Sequence, residues 1–294
     1  MRFRSIGATA LPTLTACLLL AACEGQMTLD LQADAPGPDG VLTLKLDGVE
    51  LTHSDGNVER VSLDRELRID ADGLAPTRLL DGTELRDGDY TALALRIDPA
   101  ASLYDADGDG EGVALRSTNT TPAATNLSVA VREDDTAQVT LHLASFASLP
   151  APAEDAPSTQ LFTGRLRAGR TSDSYGLTLT LTAPEILSDQ CSGLSDRLPR
   201  LYLYAGRNAL LDDVDGGSND PLRVVHAREL NSTTSDREWA LSRVPGGGYR
   251  VALSCGDDDP ALDETLVFFC SADFDLSEDR SLVLQDASGE DSCL

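Results

Sequence analysis

The residues best suited to chemistry in this chain are carboxylates. The stretch Tyr104-Asp105-Ala106-Asp107-Gly108-Asp109-Gly110-Glu111-Gly112 sets Asp at alternate positions and interleaves Gly. Hard oxygen ligands at this spacing, with glycines that let the chain reverse, are how calcium loops begin. An EF-hand would place an acid at loop position twelve, where Arg116 stands, and would need a helix on either side. The pattern therefore points to a looser calcium site made by Asp105, Asp107, Asp109 and Glu111, and calcium is the only cofactor it suggests. Two more acidic loops follow: Asp212, Asp213, Asp215, Asn219 and Asp220 around Gly216-Gly217, and Asp257, Asp258, Asp259, Asp263 and Glu264. A facing carboxylate pair drawn from these loops could do general acid–base work. His53, His142 and His226 are scattered, with no Ser or Asp at informative spacing and no G-x-S-x-G, H-E-x-x-H or phosphate-loop motif. They are expected at the surface, with His142 pointing away from the Leu141/Leu143 face.

Charge and cysteine usage narrow the setting. Against 23 Lys+Arg stand 49 Asp+Glu, a net of −26, and Lys45 is the only lysine. A surface this acidic repels nucleic-acid phosphates and attracts divalent cations and basic partners. Nucleic acid is therefore excluded as a partner. With Cys17 and Cys23 near the start, four cysteines remain: Cys191, Cys255, Cys270 and Cys293. An even count in an exported chain predicts two disulfides, with three possible pairings. Cys255 and Cys270 end and begin neighbouring apolar runs, so Cys255–Cys270 with Cys191–Cys293 is the expected pairing. No C-x-x-C spacing supports zinc. Aromatic residues make up 4% with a single Trp, so stacking platforms for sugars are scarce, and Trp239 is expected in a core.

The elements that must position these groups are strands. Residues 1–22 read as a secretory signal peptide: Arg2 and Arg4, then an apolar run ending in Leu18-Leu19-Leu20-Ala21-Ala22. Residues 23–39 form a tether or, through the alternation of Met27, Leu29 and Leu31, a first strand. Beyond them the period is two: Leu42/Leu44/Leu46, Leu93/Leu95/Ile97, Leu127/Val129/Val131, Val139/Leu141/Leu143 and Leu177/Leu179/Leu181. Such alternation, separated by Asp-Gly turns, means half-buried antiparallel strands, and short strands at this spacing imply sandwiches. Residues 147–160 read as a long loop inside the first sandwich, because Tyr175–Thr182 looks like its closing strand. The expected fold class is all-β: two tandem β-sandwich domains, 40–184 and a disulfide-bearing 185–294.

Leu20-Ala21-Ala22-Cys23 resembles the bacterial lipobox. That resemblance implies lipidation of Cys23 and anchoring in the cell envelope; Glu24 in place of Asp after the cysteine favours the outer membrane. Asp34-Ala35-Pro36, the strand Val41–Gly56 and the run Gly88-Asp89-Tyr90-Thr91-Ala92-Leu93-Ala94-Leu95-Arg96-Ile97-Asp98 resemble a family of bacterial lipoprotein domains of unknown function, over about residues 27–184. The second half, through Pro245-Gly246-Gly247-Gly248-Tyr249-Arg250-Val251, is similar to transthyretin-like and carboxypeptidase-regulatory-like sandwiches. These resemblances imply Ig-like or prealbumin-like layering and a structural or adhesive role, with no catalytic residues to carry over. The expectation is an exported, lipid-anchored, non-enzymatic binding, adhesive or structural module that meets the membrane through its lipid and an unknown protein or glycan partner. The alternative is an envelope hydrolase using carboxylates from the acidic loops.

Overall fold

A computed structural model describes residues 24–37, 39–117, 120–150, 159–181, 191, 199–214, 219–229, 237–256, 258, 260, 262–263 and 265–284. The signal segment, Cys23 and Cys293 lie outside the described residues. The first half builds β1 (Glu24–Ala33), β2 (Val41–His53), β3 (Val58–Ile69), β4 (Leu74–Arg86), β5 (Gly88–Ile97), β6 (Leu103–Asp105), β7 (Val113–Arg116), β8 (Ala123–Val131), β9 (Thr136–Leu143), β10 (Thr159–Leu161) and β11 (Leu166–Arg170). The second builds β12 (Ser174–Leu181), β13 (Arg200–Ala205), β14 (Arg223–His226), β15 (Arg228–Glu229), β16 (Arg237–Pro245), β17 (Gly247–Ser254), β18 (Phe268–Leu276) and β19 (Arg280–Leu284). Among the described residues only single 3-10 turns interrupt the strands, so the fold is all-β, as the period of two predicts.

Two sandwiches result, and they share one wiring. In the first, the sheet β11-β9-β1-β4 faces a sheet in which β3, β2, β5 and β8 are neighbours, with β6, β7 and β10 added along β2. In the second, β15-β16-β12-β19 faces β14-β13-β17-β18. Each opening strand pairs antiparallel with one strand of its sheet and parallel with a later one: β1 with β4 and β9, β12 with β16 and β19. This is prealbumin-like layering, used twice. Each core is one contiguous apolar cluster, Met27 through Phe162 in the first sandwich and Leu177 through Leu284 in the second, with Trp239 fully buried in the latter.

The repeat extends to the hairpins. Tyr90 and Tyr249 each follow a turn, each is buried, and each donates its hydroxyl to the carbonyl four residues back, Arg86 at 2.9 Å and Pro245 respectively. Such tyrosine corners pin a hairpin where the chain changes direction. Gly88 is required at the first one: its φ is +151°, and a Cβ there would sit 1.7 Å from His53 Nε2. His53 is buried under that turn with Nδ1 2.9 Å from Asp55.

Two expectations need correction. The strand around Tyr175 does not close the first sandwich. As β12 it pairs with β16 and β19, and Leu177, Leu179 and Leu181 belong to the second core. The boundary therefore falls at the 3-10 turn Thr171–Asp173 rather than near residue 185. The alternation is right, but a period of two carries no information about which sheet a strand joins. The disulfide pairing also differs: Cys191 bonds Cys255, with Cα atoms 5.6 Å apart. The β17–β18 register explains why Cys255 cannot take Cys270. Cys270 lies opposite Leu253, and the ladder shifts before Ser254 meets Phe268, so Cys255 is carried past it. Cys270 is itself a disulfide cysteine.

Candidate functional site: a polar interface and its cleft

Along β1 and β9, Met27, Leu29, Leu31, Val139, Leu141 and Leu143 face the first core. Thr28, Asp30, Gln32, Thr140 and His142 therefore face outward. The parallel register sets Asp30 beside Thr140 and Gln32 beside His142. An outward polar row normally meets water, yet all five are buried, Gln32 to 2% exposure. The second sandwich reaches Asp30, Gln32 and His142 through Arg243, Ser242 and Arg223, while Thr28 accepts from the Gly82 amide at 3.3 Å within the first.

A bulge in β16 makes that contact fit. Tyr175 pairs with Val244 and Leu177 with Leu241, so Ser242 and Arg243 together oppose Gly176, and Arg243 takes φ +50°. The kink turns both carbonyls toward β1. Gln32 Nε2 donates to the Ser242 carbonyl at 3.0 Å and to that of Arg243 at 3.4 Å, and Ser242 Oγ donates to Gln32 Oε1 at 2.8 Å. Arg243 lies 3.5 Å from Asp30, a carboxylate that also takes Arg78 Nε at 2.6 Å.

Asp34 is the centre of this lock. It is 3% exposed, its Oδ1 accepts both Nε (2.9 Å) and a terminal nitrogen of Arg223, and its Oδ2 lies 3.0 Å from His142 Nε2. Arg223 also donates to the Ser242 carbonyl at 3.0 Å. Burial pushes the Asp34 carboxyl up, but Arg223 and His142 outweigh it and hold the group at about 2. Burial pulls the His142 imidazole below its ordinary value against the pull of Asp34. One carboxylate from the first sandwich thus ties together a β9 histidine and a β14 arginine.

Beside the lock, a cleft of about 570 Å³ opens between β11 and β9 on one wall and β14 and β16 on the other. Arg165, Arg167, Arg223 and Arg243 line it, in a chain of net charge −26. Arg223 and Arg243 are held by Asp34 and Asp30, and Arg165 pairs with Asp220 across the boundary. Arg167 makes no hydrogen bond or ion pair among the described residues. It reaches solvent through the cleft mouth, while the walls strip enough water to pull its guanidinium below the ordinary value; Asp220 opposes that shift and Arg165 adds to it.

The residues singled out from sequence lie elsewhere. Asp105 spends both oxygens on its own loop, accepting from the Gly108 and Gly110 amides at 2.8 Å each, and Asp109 accepts from the Glu111 amide at 2.8 Å. Asp107 and Glu111 stand exposed, and among the described residues no three His, Cys, Asp or Glu side chains converge as a metal site. Of the other acidic loops, Asp215, Asp257, Asp259 and Glu264 lie outside the described residues. Asp213 and Asp258 do come together as a buried pair. Burial, reinforced by Asp213, raises Asp258 to about 6, although the Tyr202 hydroxyl, the Val214 amide at 3.3 Å and Arg200 oppose it. Neither lines the cleft. The histidines are buried rather than superficial. His226 stacks edge-on against Phe146 at 5.9 Å, and burial drops its pKa to about 3. His142 does point away from Leu141 and Leu143, as alternation requires, but toward Asp34 and, beyond it, Arg223 of the second sandwich. Sequence reasoning missed Arg167 and the Asp34 lock. The one local signal was Arg165-Leu166-Arg167, two bases two apart and therefore on one side of a strand.

No family model matches the chain, and no curated protein matches it. Among solved structures, it is similar to the Bacillus anthracis TIE protein (10% identity, TM-score 0.18, covering 88% of this chain and 33% of that one), so it spans about a third of that protein's length. It is also similar to a candidate adhesin from Bacteroides ovatus (9% identity, TM-score 0.24, 90% of each chain). A third similarity is to the fimbrial anchor protein Mfa2 from Porphyromonas gingivalis (12% identity, TM-score 0.17, 79% of this chain and 78% of that one).

Proposed function

We propose that this chain is an exported envelope protein, anchored through lipid on Cys23 in the outer membrane, whose two sandwiches act as one non-enzymatic binding or adhesive module with the inter-domain cleft as its ligand seat. The observation that carries the reading is the chemistry of that cleft. Among the described residues no carboxylate lines it, and the neighbouring Asp30, Asp34 and Asp220 and its histidine are held in pairs, so it offers guanidinium groups and hydroxyls to a ligand. A protein or glycan partner fits such a seat. The signal peptide and Leu20-Ala21-Ala22-Cys23 support the anchor. Calcium ordering of this module would require Asp107 and Glu111 to turn inward.

The hydrolase reading has one observation in its favour, the Asp213–Asp258 pair with its raised carboxyl. Both groups are enclosed, which leaves no room for a substrate bond between them.

The test has four arms. Radiolabelled palmitate is incorporated into the wild-type chain and lost in Cys23→Ser, which leaves the membrane fraction. The soluble chain is retained on an array of envelope glycans and peptides, and it releases no chromophore from ester, glycoside or phosphoester substrates. Failure of label incorporation removes the anchor; turnover lost in Asp258→Asn replaces the binding reading with the hydrolase. A saturable calcium-dependent rise in melting temperature, lost in Asp107→Ala/Asp109→Ala, would bring calcium back into the module.

A further inference from the structure

The cleft's charge is out of character with the rest of the molecule. Every other arginine facing it is matched: Arg223 with Asp34, Arg243 with Asp30, Arg165 with Asp220. Arg167 is the remainder: among the described residues it makes no hydrogen bond or ion pair, and Asp220, which pairs with Arg165, acts on it only at a distance. A guanidinium that loses water without gaining a partner is costly to keep. Its planar fork presents paired N–H donors that match the two oxygens of a carboxylate. Thr125 lines the same cavity and is exposed to it, on the β8 wall. Among the described residues no Phe, Tyr or Trp lines it, and the one imidazole, His142, is held by Asp34, so the face of a neutral sugar has little to stack on. A volume of about 570 Å³ suits a ligand of two sugar units rather than a single small ion.

Resting on the binding-module reading above, we propose that the cleft is an anion site in which Arg167 holds the carboxylate of an acidic sugar, with the hydroxyl-bearing wall taking the rest of a short uronide. Arg165, Arg223 and Arg243 stay in their ion pairs and act at a distance, raising the local potential. The net charge of −26 repels such a ligand in bulk, and salt near 0.15 M confines that repulsion to about 8 Å, so binding is strongest at moderate rather than very low salt.

The experiment is calorimetric titration of the soluble two-sandwich chain (Cys23→Ser) with digalacturonate, with uncharged galactobiose, and with a short acetylated peptide ending in a free carboxylate, all in 0.15 M salt. The expected result is saturable binding of digalacturonate, none of galactobiose, and at least a tenfold loss of affinity in Arg167→Met. That variant keeps the stem and melts no lower than the parent, since Arg167 makes no hydrogen bond or ion pair among the described residues. Equal binding by Arg167→Met, or equal binding of galactobiose, overturns the assignment. Binding of the peptide without digalacturonate overturns the acidic sugar, and no binding at millimolar digalacturonate overturns the site. Ala123→Trp, which fills the exposed β8 wall, separates this proposal from the one beneath it. If Ala123→Trp abolishes array retention while Arg167→Met leaves it intact, the cleft is the ligand seat and the carboxylate assignment is wrong. If neither variant changes retention, the cleft itself is not the seat.

Discussion

Replacing Asp34 by Asn tests whether the two sandwiches are held as one body. The carboxylate is 3% exposed, and Arg223, its main partner, is 9% exposed. Two routes give the size of the effect. The first is linkage: the folded carboxyl titrates at about 2 against 3.8 for the free group, roughly 2.5 kcal/mol at about 1.36 kcal/mol per pH unit. Because the folded value is depressed, that stability is present above pH 4 and is lost as pH falls through 2. The second is deletion: removing one member of a buried ion pair costs about 3–5 kcal/mol, because the other charge stays buried. The second figure exceeds the first by the cost of leaving Arg223 with only the Ser242 carbonyl. Urea unfolding at pH 7 should therefore lose about 3–5 kcal/mol, and the transition should broaden or split as each sandwich melts alone. Asp34→Leu combined with Arg223→Met should recover most of the loss, since a buried pair replaced by apolar groups is near neutral. A loss under about 1 kcal/mol with an unchanged slope would refute the lock.

Other buried groups make predictions of opposite sign. His226, held at about 3 by burial, must stay neutral in the fold, so stability falls as pH drops below 6.5. His226→Phe should remove roughly 2 kcal/mol of the stability lost between pH 6.5 and 5, measured by urea melts at both. Asp258 is raised to about 6, so its ionised form burdens the fold: stability is greatest below 3.8 and declines as pH rises to 6. Asp258→Asn should raise stability at pH 8 by up to about 3 kcal/mol and change nothing at pH 3.5; destabilisation at pH 8 would show that the ionised pair is needed. Cys191 and Cys255 are 64 residues apart, and the loop entropy they remove is worth about 4 kcal/mol. Cys191→Ser should cost most of that in thermal melts, and non-reducing digestion should give a peptide joining Cys191 to Cys255.

What was legible in the sequence, and what was not, follows from the range of each signal. The period of two placed Met27, Leu29 and Leu31, and Leu177, Leu179 and Leu181, on core faces, since alternation is a property of the strand alone. The turns Gly88-Asp89-Tyr90 and Gly247-Gly248-Tyr249 were visible for the same reason: a tyrosine corner closes within five residues. Everything that depended on partners far along the chain was silent. β12 alternates equally well for either sandwich. The cysteine pairing turned on a ladder shift at Ser254. Asp34 and Arg223 are 189 positions apart.

The most instructive case is the row Thr28, Asp30, Gln32, Thr140 and His142. Polarity correctly said that these residues face out of the first core, and the natural inference from that was water. At Asp30, Gln32 and His142 a second domain took the place of water, and the polarity there became part of the attachment. An apolar cluster also crosses the boundary, where Ala144, Ala147 and Phe146 pack with Tyr202, Tyr204, Val224 and Ala252, and contacts of that kind alone set an orientation loosely. Hydrogen bonds from Gln32 to the β16 bulge, and the Asp34–Arg223 pair, hold only one orientation. They also leave the neighbouring wall standing off, so that a cleft with one unmatched guanidinium persists beside the contact. The same choice of residues therefore fixes how the sandwiches sit and keeps a site open between them.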